Sequence, residues 1–495
     1  MGRRGNARLT GSIGARASAM KSRSDEISAG RQLARASLRT SLDDFDSEVI
    51  AKAKICLLDF LSCAFEARDH AWSRQAIGIA RPLQAGATII GTHKLATPGD
   101  AAFANATLGH GLVREDMHAG SICHHGVVIW PTLLALSERA RFSGATLLCA
   151  AIVGYEAGAQ IGHALFNADL ARLYRPTGIV APLGAALAGS RALGLAENAA
   201  ISALSIAANT SSGLNEWPHT GGSEMYFHPG FAARNALAAI ELAEAGAYAS
   251  ETILEGEAGL FAAYRREPLA ADIRMFAGER PEIMAVYNKP VPACNFAQTA
   301  AQAALRIALE LSGSDDIAGI EVRVPDAAVR YPGCDYLGPY QHALQAKMSI
   351  PFSVAATLAR GTIVEDNFAR LDDPAITRLV GLLDLKSDAG FTAAFPAAQG
   401  AEITVRLRNG TSVQRRLDDV IAATPQEIRT RFRDAAAAVI GAQQADELEA
   451  IIDGCHSLID GSTIAALCRV QSSKASEFRK QAGPETTSAA IRGLQ

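Results

Sequence analysis

The sequence predicts a mainly α-helical protein, with a large all-helical domain and a smaller α/β domain. Its 495 residues include 43 glycines and only 6% aromatic residues, and such an excess of small residues favours closely packed helices over a β-sandwich. Apolar residues recur at helical spacing through most of the first 275 positions, whereas alternating runs lie between positions 320 and 417. With 49% hydrophobic and 20% charged residues, the chain is too apolar for a disordered protein.

The helices of the larger domain follow one another along the first half of the chain. The first, over residues 41–66, begins near Ser41 and Asp43, either of which could cap it. The last ends before Gly246, a residue that suits a helix C-terminus. Glycines inside several helices predict close contact between helix backbones. The other predicted helices cover residues 101–112, 127–141, 145–165, 180–193, 196–207 and 230–245.

The smaller domain is predicted from three alternating runs, at residues 320–325, 402–407 and 412–417. Asn409-Gly410 between the last two runs predicts a hairpin. Thr424-Pro425 then begins a return to helix. The predicted organisation is a disordered basic arm (1–24), a discontinuous helical domain (25–278 and 423–471), an α/β domain (279–422) and a flexible tail (472–495).

Charge and cysteine usage exclude several classes of protein. The net charge of −4 gives no general attraction to nucleic acid or anionic membranes, and no uninterrupted run of about 20 apolar residues predicts a spanning helix. Eight scattered cysteines without a C-x-x-C pair indicate free thiols in a reducing compartment, so we expect a cytoplasmic protein. The arginine-rich arm is a disordered extension, a start-site artefact or a targeting segment.

Histidines are concentrated in one short segment. Four of the eleven lie between positions 110 and 125, interleaved with Glu115 and Asp116. Imidazoles and carboxylates in a Gly-containing connection suit proton transfer, because histidine titrates near neutral pH. The same set could hold a metal, but its loose spacing matches no metal-ligand motif and we expect none. Some of these histidines could instead cap helices or satisfy buried carbonyls.

Two further segments carry candidate anion-binding groups. His228 begins a helix, whose free N–H groups attract anions, and Arg234 lies one turn further on. Arg234 could equally form an ion pair on the helix surface. Lys289 and Cys294 lie on a turn before another helix. Cys294 as a nucleophile would need a base that the sequence does not show.

These segments together resemble the MmgE/PrpD family over residues 45–465. The similar pieces include ATPGDAAFANATLGHGLVREDMH, HHGVVIWPTLLALSE, HPGFAARNA, KPVPAC and AKMSIPFSVA, in the family's order. The family includes 2-methylcitrate dehydratase, cis-aconitate decarboxylase and iminodisuccinate epimerase. The resemblance implies a helical domain completed by C-terminal helices, an α/β lid and a homodimer. It also implies cofactor-free acid/base chemistry on small polycarboxylates between the domains.

The resemblance assigns candidate catalytic residues in the first histidine segment. Asp116 and His118 match the Asp and His that end the family's motif, and Glu115 replaces the Asp before them. His124 matches the family's downstream histidine. We therefore expect His118 and His124 to transfer protons while Asp116 or Glu115 orients an imidazole.

Several positions depart from the family pattern. Val113 replaces an Asp, Met117 a Thr, Arg175 a His, Met225 a Lys and Gln298 a His. Replacing a Lys by Met removes a cationic donor worth about 1.5–3 kcal/mol to a bound anion. We therefore expect altered specificity, for a substrate that is less charged or presents its charges differently. The predicted substrate-binding residues are Arg175, Lys289, Tyr174, Tyr226, His228, Gln298 and Cys294.

Three functions remain open at this point. The first is a dehydratase-type or decarboxylase-type lyase acting on a small carboxylate. The second is an isomerase or epimerase that uses the same proton abstraction and returns the proton to carbon. The third is a catalytically inactive homologue that serves as a binding or scaffold protein.

Overall fold

The computed structural model of the protein describes residues 27–265 and 273–471. The predicted basic arm (1–24) and tail (472–495) lie outside the described residues. The described chain is mainly helical with small sheets, which confirms the predicted fold class. Two buried apolar cores organise it. The first is built from residues 29–286 and 423–470, and the second mostly from residues 291–417. The exact domain boundaries stay a prediction.

Each helix predicted over residues 41–245 is present in the structure. The helices up to residue 265 are α1 (Ala29–Arg39), α2 (Ser47–Glu66), α3 (Ala71–Ile79), α4 (Pro98–His110), α5 (Gly126–Ala140), α6 (Gly144–Leu165), α7 (Ala168–Leu173), α8 (Pro176–Ile179), α9 (Ala181–Leu193), α10 (Glu197–Thr210), α11 (Trp217–Thr220), α12 (His228–Glu244) and α13 (Leu260–Arg265). The sequence does not predict α1, α3, α7, α8, α11 or α13, and α11 packs into the second core through Trp217.

The start of α2 differs from the prediction. Ser41 caps a separate 3₁₀ turn over Leu42–Asp44, and Phe45 then adopts an extended conformation. The helix begins at Ser47, where the Asp46 side chain accepts the amide N–H groups of Glu48 and Val49. The cap therefore lies three to five residues later than expected, because two capping motifs follow each other in this stretch.

Glycines allow α6 and α9 to pack backbone against backbone. A Cβ atom placed on Gly184 of α9 would lie 2.4 Å from the carbonyl oxygen of Gly154 in α6. Helix α6 is long and apolar enough to cross a membrane by length and composition alone, but 83% of its most apolar window is buried inside the protein. That burial is typical of the core helix of a globular protein.

The second core surrounds a four-stranded sheet with strand order β6-β5-β7-β8. Its strands are β5 (Ile317–Val324), β6 (Leu383–Ser387), β7 (Ala401–Leu407) and β8 (Ser412–Leu417). Strand β5 pairs parallel with β6 and antiparallel with β7, and the β7–β8 hairpin turns at Asn409-Gly410 as predicted, with a φ of +86° at Gly410. Strand β6 was not predicted. The helices of this core are α14 (Gln298–Ala308), α15 (Asp326–Arg330), α16 (Ala343–Met348), α17 (Ile350–Arg360), α18 (Pro374–Val380) and α19 (Ala389–Ala394).

One pair of short strands and the C-terminal helices connect the two parts. Two-residue strands β1 (Ala87–Thr88) and β2 (Leu95–Ala96) pair within the first part. Strand β3 (Met117–His118) pairs with β4 (Val286–Tyr287), which brings the histidine segment beside the turn that carries Lys289. The chain returns to the first core through α20 (Pro425–Ile440), α21 (Ala442–Asp453) and α22 (Ser462–Leu467). Thr424 and Glu427 cap α20 reciprocally.

Candidate active site

A cavity of about 620 Å³ is lined by residues of both cores. His124, Arg175 and Lys289 line it together with Cys294, so four of the eleven predicted site residues meet at one place. Lys289 is fully buried and Arg175 is 9% exposed. The cavity therefore brings an imidazole and two buried cations from sequence-distant segments to a common wall.

His124 is held with its Nδ1 atom turned into the protein. Nδ1 lies 2.8 Å from the backbone oxygen of Asp116 and 3.1 Å from Oε1 of Glu115. Because a carbonyl and a carboxylate only accept hydrogen bonds, Nδ1 carries the proton. The Nε2 lone pair is then left for the cavity, since none of the described residues hydrogen-bonds to it. Burial, together with the charges of Lys289 and Arg175, holds the pKa of His124 well below its usual range, so the ring is a neutral base.

Glu115 is a buried carboxylate that contacts two imidazole rings. Its Oε1 atom accepts a hydrogen bond from Nδ1 of His110 and also faces Nδ1 of His124. Burial alone would raise the pKa of this carboxyl, but the Nδ1–H groups of the two neutral rings and the charge of Lys289 outweigh burial and hold the pKa well below its usual range. Glu115 therefore stays ionised and orients His124, without itself lining the cavity.

His110 extends this arrangement to Arg175. An Arg175 N–H group donates to Nε2 of His110 across 3.2 Å, and the Met225 sulfur lies 2.8 Å from the same nitrogen. The Arg175 guanidinium also lies 5.5 Å from the centre of the Trp217 ring. The result is a continuous contact chain from Glu115 through His110 to Arg175. His110 was not among the predicted site residues, although its place in the histidine segment was a usable signal.

Lys289 lies beside a strained backbone position. Its Nζ atom donates to the carbonyl oxygen of Val113, a residue with a φ of +58°. A β-branched residue is rarely found in this left-handed region, and such positions cluster at functional sites. Burial lowers the pKa of Lys289 to about 8, so most molecules carry an ammonium at neutral pH.

Two predicted residues next to this site have internal partners instead. Asp116 accepts hydrogen bonds from the Tyr155 hydroxyl and the Gly126 amide, and burial raises its pKa to about 7. The side-chain amide of Gln298 accepts a hydrogen bond from the Val291 N–H group and donates one to the Val291 carbonyl oxygen, which closes the turn before α14. The structure therefore gives Asp116 and Gln298 positioning contacts and places neither at the cavity wall.

The predicted tyrosines and His228 also lie off the cavity wall. Tyr226 stacks on Trp72 with ring centres 3.8 Å apart, and Tyr174 packs on Tyr264 at 4.9 Å. Burial and the nearby Arg175 charge lower the pKa of His228 to about 3. Arg234, on the same helix as His228, forms a surface ion pair with Asp100 at 3.4 Å.

His118 belongs to a second group of polar side chains. Its Nε2 atom lies 2.8 Å from Glu282, whose carboxylate is also 3.4 Å from Nε2 of His163. In the described part of the chain this is the one set of three potential metal ligands. However, the Ser121 amide donates to Nδ1 of His118, which places the ring proton on Nε2. That proton is donated to Glu282, so the group is arranged as hydrogen-bonded side chains and not as metal ligands.

An aromatic part of the cavity wall was not predicted. Phe296, Tyr331 and Phe395 line it, and the ring centre of Phe296 lies 5.5 Å from that of Tyr331 and 5.7 Å from that of Phe395. These residues come from separate connections of the second core. No local pattern in the sequence predicts that these three residues meet.

Fold and site together define a class of protein. It is a mainly helical protein in which a neutral imidazole with a free lone pair and two buried cations share a cavity between two cores. Such an arrangement can hold an anion and move a proton.

Comparison with known sequences identifies the family. The model of the MmgE/PrpD N-terminal domain matches residues 31–271, and that of the MmgE/PrpD C-terminal domain matches residues 291–457. The chain therefore belongs to the MmgE/PrpD family.

The similar curated proteins are named as decarboxylases. The cis-aconitate decarboxylase of Aspergillus terreus is 24% identical over 468 residues, which cover 87% of this chain and 94% of the relative. The cis-aconitate decarboxylase-like protein oryM of Aspergillus oryzae is 25% identical, covering 86% and 94%. The cis-aconitate decarboxylase of Mus musculus is 26% identical, covering 75% and 78%.

Proposed function

We propose that this protein is a lyase of the dehydratase or decarboxylase type, which acts on a carboxylate substrate through its own acid and base groups. The observation that carries the proposal is the state of His124. Its Nδ1 proton is engaged by Asp116 and Glu115, and its Nε2 lone pair is free at a cavity that also contains Lys289 and Arg175. The decarboxylase names of the relatives support the reaction class.

The two cations hold the substrate anion in this proposal. Arg175 offers planar N–H groups that suit a carboxylate, and Lys289 offers a point charge with two N–H groups not used by Val113. Both side chains are desolvated, so their attraction for an anion is stronger than in water. As carbon gives up a proton or CO₂, negative charge grows next to this carboxylate, and the same cations stabilise it.

His124 removes the proton in an elimination, and Lys289 supplies the proton in a decarboxylation. In an elimination, Nε2 takes the proton from the carbon beside the carboxylate, the C–H electrons form the double bond, and the β-oxygen leaves with its electron pair and takes a proton from the Lys289 ammonium, so that water departs. In a decarboxylation, CO₂ leaves, its bonding electrons stay on carbon, and a proton must be delivered there. Lys289, with a pKa of about 8, is an acid of suitable strength for that delivery.

The replaced positions argue for a substrate that differs from those of other family members. Met225 and Val113, where the family resemblance predicts Lys and Asp, both line the cavity and offer it no side-chain charge. The site thus keeps two buried cations and loses a third. We therefore propose altered specificity, with fewer charged groups on the substrate.

NMR in D₂O tests this function. The protein is incubated with a panel of small mono-, di- and tricarboxylates, and solvent exchange and products are followed together. We expect an alkene or CO₂ from at least one acid, and a loss of turnover of about 100- to 10,000-fold in His124→Gln. His93→Gln, which changes an exposed histidine outside the cavity, is the matched control.

Other outcomes would contradict the proposal in distinct ways. Deuterium uptake without a new product would indicate the isomerase or epimerase. No exchange with any acid, and unchanged carboxylate binding in His124→Gln, would indicate an inactive homologue.

A further inference from the structure

The cavity is larger and more apolar than a site for a small polycarboxylate requires. Its volume of about 620 Å³ lies in the middle of the range of about 300–1,000 Å³ that holds drug-sized ligands. Its buried charged groups are confined to Arg175 and Lys289 among the described lining residues, and the other lining cations, Arg172 and Arg330, are exposed. Most of the volume therefore lies against uncharged side chains.

The uncharged part of the wall includes a defined aromatic surface. Phe296, Tyr331 and Phe395 form a contiguous group, and all three residues are only half-buried where they line the cavity. Phe166 adds apolar surface from the first core and Trp217 from the second. Incompletely buried aromatic rings gain free energy when an apolar ligand covers them.

The charged end of the cavity is itself bordered by apolar groups. Met225 contacts both His110 and Arg175, and Val113 takes the position next to the Lys289 ammonium. Two cations beside His124 suit a head with one or two carboxylates. No further buried cation among the described lining residues is available for a third carboxylate, so the buried part of the ligand beyond this head is expected to be uncharged.

We infer that the substrate is an acid with an apolar tail, whose carboxylate head lies on Lys289 and Arg175 while its alkyl or aryl tail covers Phe296, Tyr331 and Phe395. This inference rests on the proposed function, because the head is identified by the residues assigned to catalysis. It adds a second subsite, the aromatic group, with its own ligand chemistry.

Calorimetric titration of the full chain with succinate, butylsuccinate and octylsuccinate tests the tail subsite without requiring turnover. Each buried methylene contributes about 0.8 kcal/mol, or about fourfold in Kd. We expect butylsuccinate to bind at least tenfold more tightly than succinate, and octylsuccinate more tightly still. Equal affinities for all three acids would overturn the inference.

Variants separate the tail from the head. Phe395→Ala and Phe296→Ala should each weaken butylsuccinate at least fivefold and change succinate less than twofold. Phe231→Ala, which removes a 51% exposed ring outside the cavity, should change neither. A fivefold effect that is equal for succinate and butylsuccinate would contradict a tail subsite.

Lys289→Met tests the binding of the carboxylate head. It should weaken succinate and butylsuccinate by the same factor. Unchanged succinate binding in Lys289→Met would contradict the proposed function. Equal affinities for the three acids, all weakened by Lys289→Met, would overturn the apolar tail alone. Failure of all three acids to bind would overturn both.

Discussion

At the scale of single residues, Asp116 and His124 have opposite environments although both were predicted to be catalytic. His124 lines the cavity, while Asp116 is closed off by Tyr155 and Gly126. We predict that Asp116→Asn retains at least a tenth of the wild-type kcat, because an amide can keep the hydrogen bond with Tyr155. Steady-state kinetics on the acid found by NMR measures this. A loss as large as that of His124→Gln would show that Asp116 takes part in the chemistry.

We expect His228 to contribute to the acid sensitivity of the fold. Its pKa is lowered from 6.5 to about 3 in the folded protein, so the unfolded chain binds more protons between these values. Stability from this residue is complete above pH 6.5 and is lost as the pH falls. We predict that acidification from pH 7 to pH 5 lowers the free energy of unfolding of the wild type by about 1–2 kcal/mol more than that of His228→Asn. Parallel urea titrations check this, and identical pH slopes would contradict the burial of a neutral ring.

Residue roles could be predicted only where the sequence carries a motif. His124 and Lys289 stand at motif positions and reach the cavity. Gln298 also stands at a motif position, and Tyr226 lies just before His228. The backbone of Val291 nevertheless binds the Gln298 side chain, and Trp72 stacks on Tyr226. These contacts form only in the folded protein, so the sequence does not predict them.

At the scale of elements, the α6–α9 contact depends on the absence of a side chain. A Cβ on Gly184 would clash with the Gly154 carbonyl at 2.4 Å. We predict that Gly184→Ala lowers the free energy of unfolding by about 1–3 kcal/mol, since the helices must separate. Gly78→Ala, in α3, is the control: nothing lies within 4 Å of its Cβ, and its higher helix propensity should stabilise the protein by up to about 1 kcal/mol. Equal effects of the two changes would contradict this packing.

The elements themselves were largely predictable, with understandable exceptions. Thr424, Pro425 and the Asn409-Gly410 turn act through local chemistry, and the structure shows the cap and hairpin expected there. The sequence analysis does not identify strand β6, because its alternating run, LDLKS, is only five residues long and buries only Leu383 well. Its pairing with β5 is a tertiary contact.

At the scale of the whole molecule, the cavity joins two cores that are distant in sequence. Lys289 and Arg175 reach it from opposite sides of the boundary predicted at residue 278. We predict that an acid bound at 100 times its Kd stabilises the protein by about 2.7 kcal/mol, and that Lys289→Met loses this effect at the same acid concentration. Thermal unfolding with and without butylsuccinate measures it. An equal rise in Tm for both proteins would place the ligand elsewhere.

The whole-molecule arrangement was predictable through the family resemblance more than through local patterns. Order and spacing of motifs over residues 45–465 indicated a helical part, an α/β part and a site between them. The aromatic wall formed by Phe296, Tyr331 and Phe395 was not foreseen, because its members come from three unrelated connections. The homodimer and the cytoplasmic location stay predictions.

A crystal structure with bound butylsuccinate is the most direct test of the central claim, that His124 is a base facing an anion held by Lys289 and Arg175. The account predicts one carboxylate within hydrogen-bonding distance of both cations and the neighbouring carbon within about 3.5 Å of Nε2 of His124. Its butyl chain should lie against Phe296 and Phe395. A ligand bound away from His124, or a protein group hydrogen-bonded to Nε2 in its place, would contradict the account.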